Sequence, residues 1–204
     1  LLLGGKPVTL SDSGGFIHDP NGIDTEKLEW VKTLKNVRRG RISEYADTFT
    51  GATYTKVDPS LDYNPLWSVP ADTAFPSATQ NEINGKDAAH LLGNGVDLVL
   101  EGANMPTTPK GVEAFLDAGI MYGPAKAANA GGVAVSALEM SQNGLRYNWT
   151  RAEVDEKLKS IMLSIYKQSS EAAKMYGQPD NFVLGSNIAG FVKIADSMLE
   201  QGLV

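Results

Sequence analysis

Short apolar runs alternate along the chain with segments whose apolar residues recur at helical spacing. Residues 8–11 form one such run, ending in a polar turn at 12–15, and read as a buried strand; residues 1–5 before it read as a helix end closed by Gly4-Gly5. After a second turn at Asp19-Pro20-Asn21-Gly22, Leu28, Val31, Leu34 and Val37 fall at helix spacing and predict a helix over 25–46. Residues 52–56 read as a strand, 57–68 as a loop, 71–75 as a strand, 85–92 as a helix and 96–101 as a strand. Thr108 caps and Pro109 opens the next helix, Gly119 stops it, and a further strand covers 120–122. Because these strands are continuous apolar runs separated by helices, they predict an α/β fold with a mostly parallel sheet covered on both faces. The last third changes character. Residues 130–143, 151–176 and 187–201 read as helices with no strand between them, the middle one carrying Val154, Leu158, Ile161 and Ile165 on one face. This pattern divides the chain into 1–130 and a helical segment 131–204.

Composition narrows the function classes. The 204 residues are 42% apolar, enough for a core, and the net charge of −6 argues against a broad nucleic-acid or anionic-membrane surface. Any anion site must therefore be local. There is no cysteine, which removes disulfides, thiolate catalysis and Cys-ligated zinc, and the two histidines, His18 and His90, lack metal-ligand spacing. No apolar run approaches the ~20 residues that span a bilayer. The chain opens LLLGG without an initiator Met. That end is expected to be a cut end within a longer protein.

Three constellations could carry chemistry. A strand ending in an acid next to Ser13 is what the second half of a dinucleotide-binding unit presents to the adenine ribose, and Ser11 and Asp12 stand there with it. No phosphate-binding Gly-rich turn precedes it, since the one GxG, Gly93-Asn94-Gly95, comes before a strand and reads as a turn. Asp12 alone favours a free 2′-hydroxyl, hence NAD. Lys35, Arg38 and Arg41, three apart on the predicted helix, share about 120° of its face and favour a 2′-phosphate instead; a solvated basic face is the competing reading. Six of the eighteen Lys and Arg residues fall between 27 and 41. The second constellation is the strand-end segments PSATQNEI and EGANMPTTP, whose Thr79, Gln80 and Asn104 would meet a carboxamide or ribose if the strands are parallel, or else are plain turns. The third is the small-residue stretch 123–134, where Asn129 leads into a helix with Val133, Ser136 and Met140 on one face; it suits either a ligand or a close helix crossing.

SDSGG, KNVRRGR, PSATQNEI, EGANMPTTP, KAANAGGVAVSALEMSQN and SNIAGFVKIADSMLEQG, in this order, resemble the hexameric glutamate dehydrogenases over essentially the whole chain, and most specifically at ANMPTT and NAGGV. The resemblance covers the C-terminal half of such an enzyme and implies a Rossmann-like domain lacking its first strand and Gly-rich turn, followed by helices directed toward an absent substrate domain. It implies reversible oxidative deamination of L-glutamate to 2-oxoglutarate and ammonium in a cytoplasmic homohexamer, with NADP preferred over NAD. It implies further that Ser11, Asp12, Ser13, Lys35, Arg38 and Arg41 contact the adenosine end of the coenzyme. Ala78, Thr79, Gln80, Gly102, Asn104 and Asn129 would serve the rest of it, and Val133 and Ser136 glutamate, the Ser136 hydroxyl meeting the side-chain carboxylate. Ser77 stands where many members have cysteine. The family's substrate lysines and acid/base aspartate would lie upstream, so no catalytic residue is expected in this chain, neither Lys126 nor Asp12 is promoted to that role, and the chain alone is expected to be inactive and not to form a stable hexamer. A leucine-, phenylalanine- or valine-type dehydrogenase and a non-catalytic domain of the same fold are the alternatives; Ser136 argues against an apolar side-chain pocket.

Overall fold

The computed structural model describes residues 1–202. They form an α/β fold that divides into two compact units, Leu1–Ala71 with Gly85–Gly95, and Asp72–Asn84 with the chain from Val96 on.

In the first unit, β1 (Thr9–Asp12), β2 (Gly15–His18) and β3 (Thr53–Lys56) make an antiparallel sheet in the order β1-β2-β3, with Leu10 opposite Ile17 and Ile17 opposite Tyr54. The expectation of a buried strand at 8–11 in a parallel sheet is corrected here. β1 is an edge strand and only partly buried, while the central β2 carries the apolar load in Phe16 and Ile17. GFIH between two turns is a hairpin signal, and it was not assigned as a strand from the sequence. The helix end expected at 1–5 is also absent; the Gly4 N–H donates to the Leu1 carbonyl at 3.0 Å in a turn.

The helix expected over 25–46 is three pieces. α1 (Thr25–Lys32) starts where Asp24 accepts the Lys27 N–H at 2.9 Å. It passes into a π-helical segment, Thr33–Arg38, which Arg39 ends in the left-handed conformation at φ 57°, and α2 (Glu44–Thr48) follows after a turn. A left-handed residue closes a helix, and here it does so inside an apolar pattern that otherwise continues. Ile17, Ile23, Val31, Ile42 and Tyr45 form the core of this unit, with Trp30 set edge-on to Tyr45 and Phe49 at ring distances of 6.0 and 5.4 Å. α3 (Gly85–Gly93) belongs to the same unit, and Gly93-Asn94-Gly95 is indeed the turn that ends it, with Gly95 at φ 85°.

In the second unit, β4 (Thr73–Ala74), β5 (Leu98–Leu100) and β6 (Met121–Gly123) form the parallel sheet, β5 central, with Ala74 beside Val99 and Val99 beside Tyr122. α4 (Pro109–Asp117) joins β5 to β6 and buries Phe115 against Tyr122 at 5.6 Å between rings. After the short α5 (Ala125–Ala128) come α6 (Ala130–Leu145), α7 (Arg151–Met175) and α8 (Phe182–Gln201). A capping box between Thr150 and Glu153 starts α7, and Val154, Leu158, Ile161 and Ile165 are its partly buried face as the spacing predicts. By length and composition α8 could cross a membrane; Lys193, Asp196 and Glu200 interrupt its apolar sequence, so no unbroken run betrays it.

α8 meets α7 at Gly185, where an added Cβ would lie 2.0 Å from the Ser169 carbonyl oxygen and 3.0 Å from the Ala173 methyl. Ser169 and Ala173 are both buried. Gly185→Ala must therefore push the helices apart, costing about 1–3 kcal/mol. Thermal unfolding followed by circular dichroism is expected to shift down by roughly 5 °C, at the few degrees per kcal/mol usual for this size; an unchanged midpoint would show that the crossing can open freely.

Candidate functional site

The first group of candidate residues gathers at the carboxyl end of β1. The Asp12 carboxylate is fully engaged: Oδ1 accepts the Gly14 N–H at 2.8 Å, and Oδ2 accepts Lys35 Nζ at 2.8 Å and the Ile42 N–H at 2.9 Å. Burial by itself would raise its pKa, but the hydrogen bonds from Lys35, Ile42 and Gly14 together with the Lys35 charge outweigh that and lower it. Lys35 Nζ also donates to the Gly40 carbonyl at 3.0 Å, which fixes the ammonium at the mouth of the turn. Arg41 Nη1 donates to Ser13 Oγ at 2.9 Å, and Arg38 Nη2 donates to Glu44 Oε2 at 2.5 Å with its guanidinium 6.0 Å from the Trp30 ring. Ser11 is exposed on β1.

Geometry thus assembles Asp12, Ser13, Lys35 and Arg41, though not by the route the spacing suggests. The π-helical segment ends at Arg38, and Arg41 reaches Ser13 from the turn beyond it. Short π-helical stretches recur at functional sites because they re-aim side chains relative to an α-helix. Asp12 holds Lys35 and two backbone N–H groups, with a single bond on Oδ1, so Lys35 offsets its charge while the carboxylate keeps acceptor capacity. Ser13 and Arg41 remain exposed. Sequence reasoning missed Glu44, whose Oε1 accepts the Arg41 N–H at 3.2 Å while Oε2 holds Arg38.

The second group sits beyond the carboxyl ends of β4 and β5, where parallel sheets place their ligands. The turn after β4 exposes Ala78, Thr79 and Gln80, and the turn after β5 exposes Gly102 and Asn104. The two turns are laced together. Gly102 and Ala103 N–H groups donate to the Pro76 carbonyl at 2.9 and 3.1 Å, the Asn81 N–H to Met105 at 3.0 Å and the Ile83 N–H to Pro106 at 2.9 Å. Asn81 and Met105 are both left-handed, at φ 57° and 51°. Gly102 lies close to the neighbouring turn: a Cβ there would lie 2.3 Å from Ser77 Oγ and would turn that hydroxyl aside. Glu82 accepts the Ala78 N–H at 2.8 Å and bonds that of Thr79; burial raises its pKa against those two bonds.

Asn129 joins this group. Its Nδ2 donates to the Ala103 carbonyl at 3.2 Å and to Asn104 Oδ1 at 2.7 Å, so the Asn104 amide keeps its N–H groups to offer outward. Beside these turns lies a cavity of about 300 Å³ whose lining includes Gln80, Met105, Thr107, Tyr122, Ala125 and Lys126. Val133 is 76% exposed on α6, and Ser136 Oγ on the same helix donates to the Gly132 carbonyl at 3.2 Å. Neither has a described contact with Asn104. Glu82 and Glu101 were missed by sequence reasoning; an acid standing directly at the end of the apolar run VDLVL was the available signal. Among the described residues no cluster of His, Asp and Glu is arranged to hold a metal ion.

A parallel α/β sheet with helices and with polar turns beyond its strand ends defines a Rossmann-like class of fold. The profile of the Glutamate/Leucine/Phenylalanine/Valine dehydrogenase family matches residues 1–202. The chain belongs to that family. It is 53% identical over 207 residues to the NADP-specific glutamate dehydrogenase of Helicobacter pylori, covering 100% of this chain and 45% of the relative. To the NAD(P)-specific glutamate dehydrogenase of Xylanibacter ruminicola it is 52% identical over 206 residues, covering 100% and 44%. The crystal structure of Plasmodium falciparum glutamate dehydrogenase superposes with a TM-score of 0.90 at 47% identity, over 98% of this chain and 42% of that one. The chain therefore spans less than half the length of these relatives.

Proposed function

We propose that this chain is the coenzyme-binding part of an NADP-preferring glutamate dehydrogenase, catalysing reversible oxidative deamination of L-glutamate to 2-oxoglutarate and ammonium. The observation that carries the coenzyme reading is the Asp12–Lys35 pair: it holds an ammonium at the turn that bears Ser13 and Arg41 and offsets the carboxylate charge that would repel a phosphate. Ser13, Lys35, Arg38 and Arg41 would hold the 2′-phosphate by charge-assisted bonds. Ala78, Thr79, Gln80, Gly102, Asn104 and Asn129 would hold the nicotinamide end, with the Asn104 amide donating. NADP supplies the hydride acceptor when bound; the residues described here orient it and contribute no proton transfer. The helical segment from 131, with Val133 and Ser136 on its exposed face, would turn toward a substrate domain outside this chain and contribute the Ser136 hydroxyl to the glutamate side chain. A cytoplasmic homohexamer is part of the same reading.

Substrate profiling of the protein as its gene encodes it tests the proposal. Turnover is expected with L-glutamate and NADP, with leucine, phenylalanine and valine at least about 100-fold slower, because a hydroxyl left without its partner in a closed site discriminates strongly. Faster turnover of an apolar amino acid would move the chain to another branch of the family, and no turnover of any would favour a non-catalytic domain.

A further inference from the structure

Glu101 is the least explained acid in the second unit. It directly follows β5 at 4% exposure, and its carboxylate joins two segments. Oε1 accepts the Thr107 N–H at 3.2 Å and Oε2 accepts the Ala125 N–H at 2.7 Å. Its own N–H donates to the Gly123 carbonyl at 3.1 Å. A buried carboxylate is expensive unless it is hydrogen-bonded, and this one uses a bond on each oxygen to tie the far end of the 102–107 turn to the first residue of α5.

That tie closes a ring. α5 is a single rigid turn in which the Asn129 N–H donates to the Ala125 carbonyl at 2.9 Å, and Asn129 Nδ2 then reaches back to Ala103 and to Asn104 Oδ1. The turn bearing Asn104 is thus anchored at Thr107 through Glu101 and at Ala103–Asn104 through Asn129, and both anchors run through the same short helix. We propose that Glu101 is a positioning residue: acting through Ala125 and Asn129, it fixes the direction in which the Asn104 amide donates, and so sets how the nicotinamide end of the coenzyme is held. The inference rests on the coenzyme reading above. It assigns no contact between Glu101 and the ligand.

Glu101→Gln tests it, because an amide must turn an NH2 toward one of the two buried backbone N–H groups and lose that bond. The readout is the pair of dissociation constants for NADPH and for adenosine 2′,5′-bisphosphate, which carries the 2′-phosphate and no nicotinamide, on the protein as its gene encodes it. Binding of NADPH is expected to weaken about tenfold while the bisphosphate changes by less than about twofold, the loss of one buried hydrogen bond being felt at one end only. Parallel weakening of both ligands, or of neither, overturns the proposal. Should Glu101→Gln not fold, Glu101→Asp keeps the charge and withdraws the carboxylate by one methylene from the Thr107 and Ala125 N–H groups; it carries the same comparison, and unchanged NADPH affinity there overturns the proposal equally. A wild-type protein that binds the bisphosphate and gains nothing from the nicotinamide half would overturn the coenzyme reading itself, an outcome distinct from a null result in the variants.

Discussion

Replacing Lys35, Arg38 and Arg41 together with alanine is expected to lower kcat/KM for NADP by about 10²–10³-fold, while kcat/KM for NAD changes by less than about threefold. The magnitude follows from the contacts. Each charge-assisted bond to a phosphate is worth roughly 1.5–3 kcal/mol, reduced here because all three cations are partly solvated. The effect on NADP is compounded by Asp12. With Lys35 gone, its carboxylate keeps the Gly14 and Ile42 N–H groups and loses its counter-ion, leaving an acid beside the place where the phosphate would sit. The single variants should therefore be unequal. Lys35→Ala removes a cation and unmasks an anion. Arg38→Ala costs least, since Arg38 already spends a bond on Glu44 and lies near the Trp30 ring. Steady-state kinetics with both coenzymes on the protein as its gene encodes it decide the matter: an unchanged NADP to NAD ratio in the triple variant would remove the 2′-phosphate assignment.

The parts of this molecule legible in the sequence are those where one local signal dominates. α3, α4 and α7 lie within a residue or two of their expected bounds, because Gly85, Thr108-Pro109 and the Thr150 capping box mark their starts and the following glycines or turns their ends. The polar turns beyond β4 and β5 were legible as well, since PSATQN and EGANMP follow apolar runs directly. The break at Arg39 was not. Leu34 and Val37 continue the helical pattern across the π-helical segment, and nothing local marks an arginine as left-handed; the turn is held by the Lys35 side chain on the Gly40 carbonyl and by the long-range bond from the Ile42 N–H to Asp12.

The same limit applies to the candidate sites. Residue types suggested Asp12 as a ribose acceptor, and only the three-dimensional contacts show that the carboxylate also organises Lys35. Glu44 and Glu82 were invisible as site residues because they act on backbone N–H groups, which any sequence supplies, whereas Glu101 was marked only by its place at the end of an apolar run. β2 was hidden for a different reason. It is four residues long, and its flanking turns dominate the pattern.

Asp19→Asn is expected to be the most destabilising single change in the first unit. Asp19 is 1% exposed and accepts Lys27 Nζ at 2.7 Å, the Tyr45 hydroxyl at 2.7 Å and the Asn21 N–H at 3.0 Å. Lys27 Nζ donates in addition to the Gly22 carbonyl at 2.9 Å, so one carboxylate fixes the turn before α1 and the start of α1, and anchors the fully buried Tyr45 of the core. Burial alone would raise the Asp19 pKa; the bonds from Lys27, Tyr45 and Asn21 and the Lys27 charge outweigh it, and the folded value is lowered, while burial and then the Asp19 carboxylate raise the Tyr45 hydroxyl. Removing one partner of such a buried pair leaves the other uncompensated and costs about 3–5 kcal/mol, or roughly 10 °C in unfolding midpoint at this size. The sign of the pH dependence follows. Because the folded pKa lies below the unfolded value of about 3.9, this stabilisation is present above pH ~4 and is lost as the pH falls through the folded pKa. Asp19→Asn should therefore lower stability at pH 7 and flatten the acid limb below pH ~4, whereas Tyr45→Phe, which deletes only one donor, should cost about 1 kcal/mol and leave that limb steep. Urea unfolding at pH 7 and at pH 3 separates these outcomes: a parallel shift of the Asp19→Asn curve at both values would mean that Asp19 is not held as a carboxylate by Lys27 and Tyr45.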